Sequence, residues 1–127
     1  MAISALETVV VLDCPDPGKL ADFYARLLGG TVEGEGDWVE VAVAPEGAAV
    51  RKLAFQKAPG HVPPKWPSAE HSQQFHLDFY VPRAELEEAE REALSLGAEL
   101  LRNEDGGESG FRVYRDPAGH PFCLCFR

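Results

Sequence analysis

The sequence predicts an α+β fold made of two similar halves, each in the order strand, helix and three strands. Two amphipathic helical segments both end in Leu-Gly, and Gly97 lies 68 residues after Gly29. One strand-like run precedes each helix and three short runs follow it, separated by turn residues. Because the same order recurs at a fixed offset, we interpret the chain as an internal duplication.

The first half has the clearer helix signals. Asp16 is a candidate N-cap, Pro17 suits the first helical position, and Gly29-Gly30 ends the apolar repeat. Its predicted strands are residues 6–12, 31–34, 38–43 and 51–57.

The second half repeats this plan. Its helix is predicted to open after Pro82 and to end at Gly97, with Leu86, Ala89 and Ala93 on one stripe. Its predicted strands are residues 75–81, 99–102, 111–115 and 121–126. We therefore expect one domain over residues 1–127, with module one at 1–58, a proline-rich linker at 59–73 and module two at 74–127.

Composition and charge exclude several classes of partner. The formal net charge of −9 opposes the phosphate contacts that nucleic-acid binding needs, and it disfavours anionic membranes while modestly favouring cationic ligands. No apolar run approaches the length of a membrane helix, and the first residues lack the pattern of a signal peptide. Three cysteines cannot all pair, so we expect a reduced, cytoplasmic protein.

Strand alternation predicts which side chains border a pocket. In the fifth strand Phe75, Leu77, Phe79 and Val81 form the core face, and the opposite face carries polar residues. The seventh strand is read with Arg112 and Tyr114 toward the same concavity. The predicted ligand pocket comprises Trp38, Glu40, Gln56, His76, Asp78, Tyr114 and Cys123.

Other polar and aromatic residues receive structural interpretations. Asp13, Asp16 and Asp116 are read as turn and cap residues, since each lies beside a proline or in a segment that ends a strand. In the linker, His61, Trp66 and His71 are within reach of a ligand. We favour packing for the tryptophan and solvent exposure for the histidines.

The chain resembles the vicinal-oxygen-chelate superfamily, in particular its glyoxalase-like and bleomycin-resistance-like branch. The resemblance spans nearly the whole chain and rests on Phe23-Tyr24 followed by Leu28-Gly29, on the run 75–78, and on the turn 116–122 with its Asp-Pro-x-Gly-x-x-Phe pattern. It implies paired βαβββ modules that form an open, eight-stranded, barrel-like sheet, a small-molecule ligand and a homodimer.

The resemblance also implies where a metal would bind. Metal-dependent members place ligands on the first, fourth, fifth and last strands, at positions that correspond here to Thr8 or Val9, Gln56, His76 and Cys123. Only the histidine is a clear match, so we expect no cofactor. If a divalent metal such as Zn, Ni, Mn or Fe does bind, its predicted ligands are His76, Gln56 and Cys123.

Three functions remain open at this point. The first is a metal-independent protein that binds a small organic molecule. The second is a metal-dependent lyase, isomerase or dioxygenase in which Glu40 is a possible base. The third is a resistance protein that sequesters a cationic antibiotic between aromatic residues such as Trp38 and Trp66. Whether the protein is an enzyme is left undecided, because the fold hosts many chemistries.

Overall fold

The structure of the protein is a computed structural model that describes residues 2–127. It separates into two compact units, one ending at His61 and the other running from Val62 to Arg127. Each unit has the order β-α-β-β-β, as predicted, and the eight strands form two open four-stranded sheets. Residues 62–73 of the predicted linker thus group with the second unit.

The first unit consists of a four-stranded sheet and one helix. In chain order its elements are β1 (Val10–Cys14), α1 (Pro17–Leu28), β2 (Thr31–Glu33), β3 (Trp38–Val43) and β4 (Arg51–Lys57). The strand order is β1-β4-β3-β2, with β1 parallel to β4 and the other pairs antiparallel. The first strand begins later than predicted, because only residues from Val10 onward pair with β4, and Leu6 is fully exposed.

Helix α1 has the predicted boundaries for the predicted reasons. The Asp16 carboxylate accepts a hydrogen bond from the backbone N–H of Lys19 at 3.2 Å, and Pro17 opens the helix. Gly29 ends it in the left-handed conformation at φ 69°. Tyr24 is buried and its ring stacks on Phe55 at 5.6 Å, so the helix covers the apolar face of the sheet.

The second unit repeats this architecture. Its elements are β5 (Leu77–Tyr80), a 3₁₀ turn (Arg83–Glu85), α2 (Leu86–Ser95), β6 (Glu99–Glu104), β7 (Gly110–Arg115) and β8 (Pro121–Phe126), and its strand order is β5-β8-β7-β6. Its core includes Leu86, Tyr114 and Phe122, all fully buried. Phe75, predicted on the core face, is instead 87% exposed because it lies two residues before β5 begins.

A tight turn leads into β8. The carboxylate of Asp116 accepts hydrogen bonds from the backbone N–H groups of Ala118 and His120, at 2.8 and 3.0 Å, which confirms its interpretation as a turn residue. Gly119 has φ 95° and packs so closely on Pro63 that a Cβ there would overlap the proline ring. Glycine is therefore required at this position, and the contact holds Pro63 of the linker against the turn within the second unit.

Arg112 joins α2 to the sheet and to the β6–β7 loop. The side chain is buried, and it donates hydrogen bonds to Glu87 and Glu90 of α2 and to Asp105 of the loop, the Nε–Oδ2 distance to Asp105 being 2.8 Å. Tyr114 adds a hydrogen bond to Glu90 at 2.9 Å. The guanidinium lowers the pKa of the Glu87 and Asp105 carboxyl groups, chiefly through these hydrogen bonds.

No helix among the described residues is long and apolar enough to cross a bilayer.

Replacing Arg112 with methionine should destabilise the protein by about 3 kcal/mol at pH 7, because it leaves three carboxylates without their shared partner. A carboxyl pKa that is lowered on folding stabilises the native state above the unfolded-state pKa, and this stability is lost as the pH falls through the folded-state pKa. The difference in unfolding free energy between the wild type and the Arg112→Met variant, measured by urea unfolding, should therefore decrease as the pH falls from about 5 to about 2. Arg115→Met, which removes an exposed ion pair with Glu99, should cost about 0–1 kcal/mol. Equal losses of unfolding free energy in the two variants would contradict the stabilising role of Arg112. A stability difference that does not change with pH would contradict it as well.

Candidate functional site

The face of the second sheet opposite α2 lines the candidate site. In the register of the sheet, Asp78 is opposite Cys123 and Tyr80 is opposite Cys125 on the parallel strands β5 and β8, while Val113 of β7 also faces Cys123. Directly opposed residues share a face of a sheet, so these side chains lie together. They border an open cavity of about 750 Å³, a volume within the range of small-molecule sites.

Three polar side chains form a compact group in this cavity. The His76 Nε2 and Asp78 Oδ1 atoms are 3.1 Å apart, and both side chains are about 40% exposed. The Cys123 thiol completes the group, with all three ligand-type atoms within 4.8 Å of one another. Of the residues predicted for the pocket, these are the three that the second unit brings together.

The carboxylate of Asp78 is the centre of this group. It lies opposite Cys123 on the neighbouring strand, and its oxygen is within 4.8 Å of the Cys123 sulfur. Burial, followed by the negative charge of Asp78, raises the pKa of Cys123 to about 12 and that of Cys125 to about 11. Both thiols are consequently protonated near neutral pH.

This order of contacts does not activate a cysteine nucleophile. Nucleophilic cysteines are deprotonated by a basic or cationic neighbour such as histidine, whereas here burial and the Asp78 carboxylate raise the pKa of the Cys123 thiol. The contact of His76 Nε2 with Asp78 orients the imidazole. When Nε2 carries the proton donated to Asp78, Nδ1 is the free acceptor of the ring.

An apolar wall surrounds the polar group. Val113, Cys123 and Cys125 are buried together, and Trp66 from the linker packs against them with Leu101. The interpretation of Trp66 as a packing residue is thus confirmed, and its ring also lines the cavity. Phe111 adds an apolar surface that is 40% exposed. The cavity accordingly offers one polar corner and a larger apolar surface.

Trp38, Glu40 and Gln56 lie on the sheet of the first unit. The indole Nε1 of Trp38 donates a hydrogen bond to Oε2 of Glu40 at 2.9 Å, and Lys52 Nζ is 3.6 Å from Oε1. Both carboxylate oxygens of Glu40 are therefore engaged, which argues against its proposed role as a free base. Gln56 is exposed on β4 and faces Trp38 across the β3–β4 pair.

The predicted orientation of Tyr114 and Arg112 is wrong. Tyr114 lies opposite Phe122 in the β7–β8 pair and is fully buried on the α2 side, with its hydroxyl on Glu90. Burial and the Glu90 carboxylate raise the pKa of its phenol. Val113, rather than Tyr114, belongs to the cavity, because neighbouring residues of a strand point to opposite faces.

The predicted set of pocket residues also omitted Cys125, Val113 and Phe111, which line the cavity. A signal was available, since Phe122 and Leu124 alternate with Cys123 and Cys125 along the last strand and are the larger apolar residues, as expected of its core face. Pairing β7 with β8 across the short 116–120 turn would have placed Tyr114 beside Phe122, on the core face.

The three-residue group suits zinc among the common divalent ions. Imidazole, thiolate and carboxylate are all zinc ligands, and a thiolate disfavours magnesium or calcium. Asp78 here takes the place that the sequence-based hypothesis gave to Gln56. Metal binding would require the Cys123 thiol, whose pKa is raised, to lose its proton.

The raised thiol pKa values predict slow alkylation. In a Cys14→Ser variant, which keeps only the cavity thiols, iodoacetamide at pH 8 should modify Cys125 about 100-fold more slowly than a free thiol. The rate should rise with pH toward about 11 for Cys125, and an added Asp78→Asn change should speed it at pH 8. Mass spectrometry of native and urea-unfolded protein measures this. Equal alkylation rates in the native and the unfolded protein at pH 8 would show that folding does not raise the pKa of these thiols.

Comparison with known proteins agrees with this architecture. The chain matches several solved structures at low identity, which shows a shared fold. A glyoxalase/bleomycin resistance protein/dioxygenase family enzyme from Burkholderia phytofirmans has a TM-score of 0.70 and 15% identity, covering 93% of this chain and 95% of that one. The fosfomycin resistance protein FosX from Listeria monocytogenes has a TM-score of 0.69 and 18% identity, with 99% and 95% coverage. FosX from Mesorhizobium loti has a TM-score of 0.67 and 13% identity, and the match covers 99% of this chain and 94% of that one.

No curated protein sequence matches the chain. A family model described as a glyoxalase-like domain matches residues 9–125, which includes every strand and helix of both units except the last residue of β8. The chain therefore belongs to the glyoxalase-like domain family.

Proposed function

We propose that the protein binds a small organic molecule in the cavity of the second unit and that this binding needs no metal. The observation that carries the proposal is the combination of an apolar wall with one polar corner, His76, Asp78 and Cys123, in a cavity of about 750 Å³. Such sites gain affinity from apolar burial and orientation from a few polar groups. The Asp78 carboxylate can accept a hydrogen bond and His76 offers a ring nitrogen, so the ligand should present a polar group to this corner.

The native indole fluorescence gives a direct test. In a Trp38→Phe background Trp66 is the only tryptophan of the chain, and it lines the cavity. Aromatic and aliphatic ligands screened by thermal shift should include compounds that also change Trp66 emission in a saturable way. Phe111→Ala should weaken such ligands about fivefold to tenfold, since it removes part of the apolar wall.

The matched control is Val32→Ala on β2 of the first unit, another exposed apolar side chain. It should leave the affinity unchanged. Hits that raise the melting temperature but leave Trp66 emission and the Phe111→Ala affinity unaffected would bind elsewhere and would contradict the proposal.

A metal-dependent lyase, isomerase or dioxygenase is the second candidate. It is favoured by the closeness of the three ligand-type atoms of His76, Asp78 and Cys123. In this function the protein would hold a zinc ion with these residues, and the ion would act as a Lewis acid on a substrate oxygen. The residues of the corner would then fix the position of the ion and, with the apolar wall, that of the substrate.

Elemental analysis and cobalt substitution separate the two candidates. If the metal-free proposal holds, the protein contains no stoichiometric metal as isolated, and added Co²⁺ gives no thiolate charge-transfer band after desalting. A band that persists, and that both His76→Ala and Cys123→Ser abolish while Cys14→Ser does not, would establish the metal site instead.

Antibiotic resistance remains a further alternative. Two of the structural neighbours are described as fosfomycin resistance proteins, and this is the reason to include fosfomycin, together with cationic antibiotics, in the ligand panel. A resistance function would require both saturable binding in the Trp66 assay and a higher inhibitory concentration in cells that express the protein.

A further inference from the structure

Asp78 is a carboxylate of the cavity whose side chain is 41% exposed. The His76 Nε2 atom is 3.1 Å from its Oδ1 atom, and the Cys123 sulfur lies within 4.8 Å of its carboxylate. Within residues 2–127, no lysine or arginine nitrogen lies within 4.0 Å of its oxygens. By contrast, Glu40 is paired with Lys52, and Glu90 is paired with Arg112.

Asp78 stands in a cavity beside the apolar cluster of Val113, Cys123 and Cys125, where a carboxylate loses part of its hydration. No lysine or arginine of the described residues forms an ion pair with it. A fixed anion beside apolar surface is complementary to a ligand that combines a cation with an apolar body.

Aromatic rings around the cavity add a second, independent observation. Three of the lining rings already contact protein cations: Arg102 lies 4.8 Å from the Trp66 ring, Arg127 lies 4.3 Å from the Tyr80 ring and Arg83 lies 4.6 Å from the Phe126 ring. A fourth ring, Phe111, is 40% exposed at the cavity and has no such cation among the described residues. The exposed Phe111 ring is therefore available to a positively charged group of a ligand, since cations bind aromatic faces favourably.

We propose that the cavity of the second unit recognises an organic ammonium ion, a protonated amine on an aromatic or aliphatic body, with Asp78 as the residue that binds the ammonium group. This inference rests on the proposed function and specifies its ligand class. The amine donates a hydrogen bond to Asp78, and its apolar body lies against the wall that includes Trp66 and Phe111. The overall charge of −9 attracts the same ligands.

Four benzyl compounds separate charge from hydrogen bonding and from apolar contact. Benzylammonium has a charge and N–H donors, benzyltrimethylammonium has only the charge, benzyl alcohol has only a donor, and phenylacetate has the opposite charge. Affinities are measured by calorimetry and by Trp66 emission in the Trp38→Phe background, in the presence of a chelator. We expect benzylammonium to bind best, phenylacetate to bind worst, and Asp78→Asn to weaken benzylammonium about tenfold or more with little change for benzyl alcohol.

Glu88→Gln is the matched control, because it removes the same single negative charge from an exposed position on α2, outside the cavity. It should change benzylammonium affinity by less than about threefold. Equal losses in the two variants would mean that the general field, and not Asp78, attracts the cation, and this would overturn the assignment.

The outcomes also distinguish this inference from the proposed function. If benzyl alcohol and phenylacetate bind at the Trp66 site as tightly as benzylammonium, the cavity binds organic molecules but the ammonium assignment is wrong. If none of the four compounds and no other panel ligand binds there, both fail. If zinc, added without chelator, binds and displaces the amine in wild type but not in Cys123→Ser, the corner prefers an inorganic cation, and the organic ligand class is likewise rejected.

Discussion

Parallel pairing of β5 with β8 determines what the site contains. The pairing places Asp78 opposite Cys123 and Tyr80 opposite Cys125, so two residues from a strand at the edge of the sheet meet two from its most buried strand. The polar face of β5 thereby acquires a partly buried setting that an edge strand alone would lack. A slip of one residue in this register would turn His76 and Asp78 toward α2 and remove the site altogether.

Burial and hydrogen bonding then set the chemical character of this corner. The thiols keep their protons near neutral pH because they are buried beside the Asp78 carboxylate, so the cysteines are not reactive centres. The imidazole is oriented by the same carboxylate. An acceptor-rich corner in an apolar cavity favours binding of a complementary donor, and it turns into a metal site only if an ion displaces a thiol proton.

Much of the fold could be predicted from the sequence because its signals are local. Asp16, Pro17 and Gly29 identify the first helix by cap chemistry, and the duplicated order follows from repeated turns and periodicities. The placement of His76, Asp78 and Cys123 together also followed from alternation within single strands. The orientation of Tyr114 did not, since it depends on the register between β7 and β8, which is a non-local property. Likewise, nothing in the sequence near Arg112 indicates that its partners are Glu87 and Glu90, more than twenty residues away.

The buried Arg112 has a consequence for the energetics of ligand binding. By holding Asp105 it anchors the loop between β6 and β7 from behind, and the residues on either side of that anchor, Glu104 and Gly110–Phe111, form one edge of the cavity. An edge that is already ordered loses little conformational entropy when a ligand arrives. The cavity should therefore discriminate among ligands by shape, since a rigid edge cannot adapt to a poorly fitting one.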